Sequence, residues 1–472
     1  MKTVLVLLIQ LLIFSNFFAQ KVSISAPVNI RNEKSFELMN IHTKPLVFRQ
    51  NNNDFLLGVY ENNLGNFFEK KLSFEKKNAE VVASSYNEKS LIIFYSYELK
   101  GDGFIKAMRI NEKGDKTDSI ELLKASAKLE DEDFKNTESE DKSKSVLFRS
   151  NNNSEMEFIV TDNLNFKKLY SKTIKIKDIK TNTEFRKISI TNEGVVYVIF
   201  QKIPGLFNKY NNKIIIIKID PMEPEFKKKE LELEFYFDNF RVIFDNLNKN
   251  LIIAGSKNKL FQNKSEGYFA IVLNSELEIK YIRQNPFSKK LLEDYYKSTK
   301  LRSYVNNLKV KDIIPRNDGG FIVIFEKVEI ITRQSGGDFR MRYPSYIEST
   351  DNFYGEIIIV SIHENGEEFW SEVIRKNQIS SNDQGIYSSF AIMKSSGRIS
   401  LIFNDEIKDE TQIIMYSVNP LGNFSRISLF NTELYDLKLL LRESIQISSK
   451  SLLIPSYNKD KLKLVLLELT DI

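Results

Sequence analysis

A unit of four short apolar segments recurs along the chain about every 55 residues, a spacing typical of repeat architectures. The segments are rich in Ile, Val, Phe and Tyr, and Asn, Asp, Gly and Ser lie between them. Branched and aromatic residues favour extended backbone, whereas glycine and the small polar residues favour turns. The sequence therefore predicts an all-β protein built from repeated four-stranded sheets.

The sixth and seventh units show this pattern most clearly. Their predicted strands lie at residues 309–315, 320–325, 356–362 and 368–375 in the sixth unit, and at 388–393, 399–403, 412–418 and 424–430 in the seventh. Glycine-containing turns precede the second and fourth strands of both units, at 317–319 and 363–366 in the sixth and at 395–397 and 419–422 in the seventh. The matching turns indicate that the two units are copies of one structure.

The last unit lacks a fourth strand. Three strands are predicted in it, at residues 437–447, 451–456 and 462–469, whereas the apolar segment 22–30 belongs to no other unit. As the outer strand of the last unit, this segment would close the repeats into a ring without a long open edge. We predict a single β-propeller of about eight four-stranded blades, or of seven if the weak third unit is only an insertion.

One segment carries a family resemblance. Residues 362–371 read Ile-His-Glu-Asn-Gly-Glu-Glu-Phe-Trp-Ser, in which a strand ends, a turn with Asn and Gly follows, and a strand containing Trp370 begins. This pattern resembles the quinoprotein-like and WD40-like blade repeats of exported bacterial β-propellers. The chain has only one Trp, so the repeated Trp packing of quinoproteins is absent. The resemblance implies the fold without a quinone, and we expect no cofactor.

The first 19 residues are typical of a secretory signal peptide. Lys2 precedes an apolar stretch at residues 4–18, and Ala19 is a small residue suited to cleavage. We expect residues 20–472 to form the mature protein as one domain in the periplasm, at the outer membrane or outside the cell. Phe17 departs from the small residue preferred before the cut, which leaves an uncleaved membrane anchor as the alternative.

Charge and composition also argue against several classes of function. The formal net charge is +5, from 68 basic and 63 acidic residues, so the sequence shows no excess positive charge to attract nucleic acid. No later stretch is long and apolar enough to predict a membrane helix. The absence of cysteine excludes disulfides and thiol catalysis, and His42 and His363 lie far apart in the sequence. We therefore expect neither a metal site nor a catalytic histidine.

The predicted loops differ in length between the two faces of the ring. In a four-stranded meander, the turns after the first and third strands lie on one face and the remaining connections on the other. Nearly all long connections belong to the second class, including 205–212, 257–266, 287–304 and 331–354. Residues 286–296 predict an amphipathic helix on this face, expected to pack on the ring.

The longest predicted loop supplies the candidate binding residues. Arg and Tyr combine broad contact area with hydrogen-bonding capacity, and they are common at binding sites on rigid scaffolds. The candidates are Arg333, Arg340, Arg342, Tyr343, Tyr346 and Tyr354. The alternative is that these residues only pack the loop onto its own blade.

These features favour an exported binding or scaffolding protein that recognises a protein or a glycan through this face, as a monomer or within an envelope complex. The sequence contains no strong catalytic motif, so we expect a protein that is not an enzyme. The alternative is a carbohydrate-active hydrolase or lyase, since acidic residues are abundant but the sequence gives no distance between them.

Overall fold

The computed structural model describes residues 20–31, 33, 35–51, 54–126, 134–152, 154–203, 212–298, 302–335, 347–408 and 411–469. These residues form eight antiparallel sheets, each built on a four-stranded meander and arranged as blades in a ring. The protein is an eight-bladed β-propeller, which confirms the prediction of eight blades over seven. The weak third unit is a complete blade. The predicted signal peptide, residues 1–19, lies outside the described residues.

Each of the first four blades is formed by consecutive strands of the chain. Two short strands precede them, β1 (Gln20–Ile24) and β2 (Val28–Asn29). Blade 1 contains β3 (Ser35–Ile41), β4 (Lys44–Asn51), β5 (Asp54–Tyr60) and β6 (Phe67–Leu72); blade 2 contains β7 (Glu80–Tyr86), β8 (Leu91–Leu99), β9 (Asp102–Ile110) and β10 (Lys116–Ala125). Blade 3 contains β11 (Lys135–Glu138), β12 (Lys144–Asn152), β13 (Glu155–Asp162) and β14 (Lys167–Lys175). After helix α1 (Thr181–Glu184), blade 4 contains β15 (Phe185–Ile190), β16 (Val196–Lys202), β17 (Asn212–Ile219) and β18 (Lys227–Leu233).

The later blades carry additional short elements. Blade 5 contains β19 (Phe240–Asp245), β20 (Asn250–Asn258), β21 (Lys264–Asn274) and β22 (Ile279–Pro286), followed by helix α2 (Lys289–Tyr296) and β23 (Val305–Asn306). Blade 6 contains β24 (Leu308–Pro315), β25 (Phe321–Ser335), β26 (Ile347–Ile362) and β27 (Glu368–Ile374), with β28 (Gln378–Ser381) added to β26. Blade 7 contains β29 (Ala391–Ser395), β30 (Arg398–Asn404), β31 (Gln412–Val418) and β32 (Phe424–Asn431). Two 3-10 turns, Glu433–Tyr435 and Leu441–Glu443, lead to β33 (Ile445–Ser448), β34 (Ser451–Asn458) and β35 (Lys461–Leu469) of blade 8.

We name the four strand positions of each blade A to D, from the first strand of the meander outwards. The A-to-B and C-to-D turns lie on one face of the ring, here called the short-turn face. The B-to-C and D-to-A connections lie on the opposite face, here called the long-loop face. The D-to-A connections include helix α2 and the segments 375–390 and 432–444.

Apolar clusters between neighbouring blades hold the ring together. The middle strands are buried on both sides, as in β17, where Ile214 and Ile216 pack towards blade 5 and Ile215 and Ile217 towards blade 3. Blades 6 and 7 also contact each other through Trp370, whose indole Nε1 donates a hydrogen bond to the carbonyl oxygen of Pro420 at 2.9 Å. Gly422 is required beside it, since its φ is +88° and a Cβ there would lie 2.7 Å from the Trp370 ring.

The N-terminal strand closes the ring, as the sequence predicts. β1 pairs antiparallel with β35, with Gln20 opposite Leu469 and Ile24 opposite Val465. Val22 and Ile24 pack into the core between blades 7 and 8, whereas Ile30 joins the core between blades 8 and 1. Strand D of blade 8 therefore comes from one end of the chain, and strands A to C come from the other.

Three sequence predictions differ from the structure. Residues 331–354 are largely not a loop, because β25 continues to Ser335 and β26 begins at Ile347. Residues 257–266 form only a short turn between β20 and β21. Residues 437–444 were predicted as part of a strand but form the connection that precedes strand A of blade 8. Leu437, Leu439 and Leu441 in this connection are buried in the core between blades 7 and 8. Apolar side chains alone do not distinguish such a connection from a strand.

Helix α2 confirms the predicted amphipathic helix. The Ser288 side chain caps its N-terminus by accepting from the Leu291 backbone N–H. Leu291, Leu292 and Tyr295 are buried in the core between blades 5 and 6. The helix thus packs on the ring, and no helix among the described residues is both long and apolar enough to cross a bilayer.

The seam between β1 and β35 yields a stability prediction. Replacing Val22 and Ile24 by Ser removes apolar contacts from the seam, and we expect the free energy of unfolding to fall by roughly 2–4 kcal/mol. Replacing the exposed neighbour Lys21 by Ser should change it by less than about 0.5 kcal/mol. Chemical denaturation of both variants provides the measurement, and equal losses would contradict a stabilising role for the seam.

Candidate functional site

Two connections on the long-loop face border the entrance to the central channel. The first, residues 375–390, joins blades 6 and 7 and is here called the 6–7 connection; the second, residues 432–444, is the 7–8 connection. The 6–7 connection has positive φ at Asn382, Gln384, Gly385 and Ser389. Non-glycine residues adopt such angles where the surrounding structure determines them, which is frequent at functional sites.

A buried ion pair anchors the 6–7 connection. The side chains of Glu326 and Lys376 are both 0 % exposed, and Lys376 Nζ lies 2.8 Å from Glu326 Oε1. Lys311 Nζ lies 3.1 Å from the other carboxylate oxygen, and the Ser389 hydroxyl donates to that same oxygen at 2.8 Å. Burial is the largest effect on the Lys376 ammonium and lowers its pKa, while Glu326 acts in the opposite direction. The carboxylate therefore compensates a charge that water cannot reach.

An amide network extends this anchor to the neighbouring blade. The Gln378 side chain accepts from the Ser389 backbone N–H at 2.7 Å and donates to the Asn404 carbonyl oxygen at 2.6 Å. The Asn404 side chain donates in turn to the carbonyl oxygens of Tyr387 and Leu439, at 2.8 and 3.2 Å. Both connections are thus fixed to each other and to blade 7.

A cavity of about 670 Å³ opens beside these connections, between blades 8 and 1. We call it the seam cavity. Its lining includes aromatic, aliphatic and charged side chains, among them Glu33, Phe36, Tyr86, Ile386, Arg442 and Tyr457. Pockets that combine apolar walls with a few charged groups are typical of ligand sites.

Arg442 is one of two arginines that line the seam cavity, together with Arg31. Its Nε lies 3.2 Å from Glu443 Oε1, and its Nη1 donates to the Tyr354 hydroxyl at 3.5 Å. Its Nη2 has no partner among the described residues, and the side chain is 35 % exposed. One edge of the guanidinium is therefore held by protein while the other remains available to a carboxylate or hydroxyl.

Two carboxyl groups line the same cavity. Glu33 binds the buried Arg49, which also contacts Glu69, and Glu33 Oε2 has no hydrogen-bond partner in the described part of the chain. Glu37 accepts a hydrogen bond from the Ser84 hydroxyl on the channel wall. Burial is the largest effect on both carboxyls and raises the pKa of each, although solvent reaches Glu37 through the channel.

A second cavity of about 370 Å³ lies on the other side of the connections, lined by Asp383, Tyr387, Asn404 and Leu439 among others. The two cavities share walls, because Ile386 faces the seam cavity and the adjacent Tyr387 faces the second one. Asn404 Oδ1 is buried there without a hydrogen-bond partner within the described ranges. The two connections thus separate a pair of adjacent recesses.

The structure locates two of the six predicted binding residues. Arg333 lies on the long β25–β26 hairpin, with Nη2 3.0 Å from Asp351 Oδ2 and its side chain 64 % exposed. Tyr354 is buried, and its hydroxyl accepts a hydrogen bond from Arg442. The other four, Arg340, Arg342, Tyr343 and Tyr346, lie outside the described residues.

Sequence reasoning missed Arg442 and Glu33. Arg442 falls in the segment that was predicted to be a strand, and Glu33 lies in the short link between the N-terminal strand and blade 1. The only available signal was the charged pair Arg442 and Glu443 directly after an apolar run.

The two histidines lie elsewhere, in short turns of the opposite face. In the parts of the chain described here, no cluster of acidic or histidine side chains could hold a metal ion.

No protein-family model and no curated protein sequence matches the chain. Many solved structures share its fold at low identity. An uncharacterised protein of Listeria monocytogenes is 7 % identical, with 76 % of this chain and 85 % of that one covered and a TM-score of 0.39. The propeller domain of the Trilobed protease from Pyrococcus furiosus is 9 % identical, with 83 % and 98 % covered and a TM-score of 0.37. A PL25 ulvan lyase is 10 % identical, with 81 % and 91 % covered and a TM-score of 0.35. These similarities concern the fold alone.

The buried ion pair yields a second prediction. Replacing Glu326 by Gln leaves the Lys376 ammonium buried without its counter-charge, so we expect the free energy of unfolding to fall by about 3–5 kcal/mol. Replacing Lys376 by Met in the same chain removes the uncompensated charge and should restore most of this loss. Chemical denaturation measures both, and a double variant no more stable than E326Q would contradict the explanation.

Proposed function

We propose that this propeller is an exported binding protein that recognises a protein or a glycan through its long-loop face. The observation that carries the proposal is the pair of adjacent cavities on that face, separated only by the 6–7 and 7–8 connections. The leader-like residues 1–19 support export, and the periplasm, the outer membrane and the cell exterior are all compatible with it.

The seam cavity suits recognition of an extended ligand. Phe36 and Tyr457, which line the cavity, offer ring surfaces on which a sugar or an apolar side chain can pack. Arg442 presents a free guanidinium edge beside them, which can orient a hydroxyl or a carboxylate. The combination gives both contact area and directional hydrogen bonds, which are the two components of specific binding.

The surrounding structure supports tight binding because its shape is fixed in advance. The Glu326–Lys376 pair and the Gln378 and Asn404 amides hold both connections before any ligand arrives. A site that is already ordered loses less conformational entropy on binding.

A cross-linking experiment tests the site. We place a photocrosslinking amino acid at Ile386, inside the seam cavity, or at Leu421 on the short-turn face, which is 67 % exposed. We expect a defined adduct in cells from the first position only, and Arg442→Ala should reduce it about tenfold, as for loss of a central arginine contact. Adducts of equal yield from both positions, or an adduct unaffected by R442A, would contradict the proposal.

A carbohydrate-active hydrolase or lyase is the second candidate. It is favoured by the two carboxyls Glu33 and Glu37 in one cavity, because burial raises the pKa of both towards the range useful to a general acid. Glu33 is committed to Arg49, so Glu37 is the better candidate for the acid.

Turnover of a polysaccharide panel by purified protein tests this second candidate. Glu37→Gln should then abolish product formation while the protein stays folded, because the amide cannot donate the required proton. If the protonated carboxyl acts, the rate should fall as pH rises through the raised pKa of Glu37. Absence of turnover by the unaltered protein, or full activity of E37Q, would exclude Glu37 as the acid.

A further inference from the structure

Four successive blades place a basic residue near the start of strand A. These residues lie within the first three positions of β11, β15, β19 and β24, at the end of each strand nearest the long-loop face: Lys135, Lys187, Arg241 and Lys309. None of them forms an ion pair with any residue that the structure describes. We call this set the cationic arc.

Two members of the arc lie on the first strands of adjacent blades, Lys187 on β15 and Arg241 on β19. Burial is the largest effect that lowers the pKa of the Lys187 ammonium, and the Arg241 guanidinium lowers it further. Both side chains nevertheless remain exposed to solvent. Like charges on adjacent strands are unfavourable until a ligand supplies the opposite charge.

Some other cations of these blades are neutralised by carboxylates, whereas Lys229 and Lys280 on the outer strands have no ion-pair partner among the described residues. Lys213 of blade 4 contacts Glu230 at 2.9 Å and Glu232 at 3.1 Å. Lys227 contacts Glu223 at 2.9 Å and Glu276 at 2.6 Å. The chain has 63 acidic residues, yet none of those described pairs with the arc. The arc is distinguished by its position, because it repeats near the start of strand A in four consecutive blades.

We propose that the cationic arc binds the carboxylate or sulfate groups of an acidic polysaccharide that reaches the channel from the long-loop face. This inference rests on the proposed function and specifies the class of its ligand. Repetition along four consecutive blades matches a linear chain that carries an anionic group on successive sugar units. The approach of such a chain is favoured by the field of several cations at one entrance that have no ion-pair partner in the described part of the chain.

Nucleic acid is also a linear polyanion, but the arc lacks the features of a nucleic-acid site. Proteins that bind single strands combine cations with exposed aromatic rings on which bases stack. Phe185 and Phe240, the aromatic residues beside the two central cations, pack instead into the cores between blades. The arc offers charge without stacking surfaces, which favours the acidic glycan.

Calorimetric titration with defined oligosaccharides tests the inference. The probes are oligogalacturonides, which carry carboxylates, heparin-derived oligosaccharides, which carry sulfates, neutral maltooligosaccharides and a single-stranded oligodeoxynucleotide. We expect the unaltered protein to bind at least one of the two acidic sugars, more weakly as salt increases, and to bind neither of the other probes. Comparison of the two acidic probes identifies which anionic group is preferred.

The matched variants are K187E/R241E, which reverses the centre of the arc, and K229E/K280E, which makes the same net charge change on the outer strands of the same two blades. We expect the first to weaken binding of the acidic probe at least tenfold and the second to change it less than twofold. Thermal melting of both variants checks that each remains folded.

Three results would overturn the inference: no binding of either acidic probe, stronger binding of the oligodeoxynucleotide, or equal weakening by both double variants. Its failure is distinguishable from failure of the proposed function. If the Ile386 adduct still depends on Arg442 while K187E/R241E has no effect, the long-loop face binds a ligand and only the ligand class is wrong.

Discussion

The antiparallel pairing of β1 with β35 is the interaction on which the rest of the structure depends. In a row of blades, the first and the last blade each have one uncovered face. Both faces are covered only if these two blades contact each other and close the ring. Here blade 8 is completed by the N-terminal strand, whose Val22 and Ile24 fill the core towards blade 7. Closure at this seam also creates the recess between blades 8 and 1, so the seam cavity is a direct consequence of how the ring is closed.

The second constraint is the asymmetry between the two faces. Turns on one face join strands by the shortest path, whereas the other face carries a helix, a long hairpin and the two connections that border the channel. Fixing those connections requires buried polar groups, because their backbone leaves the regular hydrogen-bonding of the blades. Glu326, Lys376 and Gln378 provide such groups in the interior, and their contacts hold the 6–7 connection in place.

Much of the fold could be predicted from repeated patterns. The turns ending in Gly319 and Gly422 have positive φ, which is why glycine recurs at corresponding positions. The candidate site was harder to predict. The Tyr354 hydroxyl accepts a hydrogen bond from Arg442, Arg333 pairs with Asp351, and Arg442 itself lies in a segment whose apolar residues predict a strand. Local patterns report backbone conformation and burial, but they do not report which distant side chains meet.

The sequence by itself determined the all-β content, a ring of about eight blades and the spare strand that closes it, because each follows from the period of apolar residues and turns. The structure decided eight blades over seven. Only the tertiary structure decided where charge remains uncompensated. A composition of 68 basic and 63 acidic residues appears balanced, yet Lys187 and Arg241, on the first strands of adjacent blades, have no acidic partner among the described residues. Electrostatic interaction depends on distance and burial in space, and neither quantity is encoded in the linear order of residues.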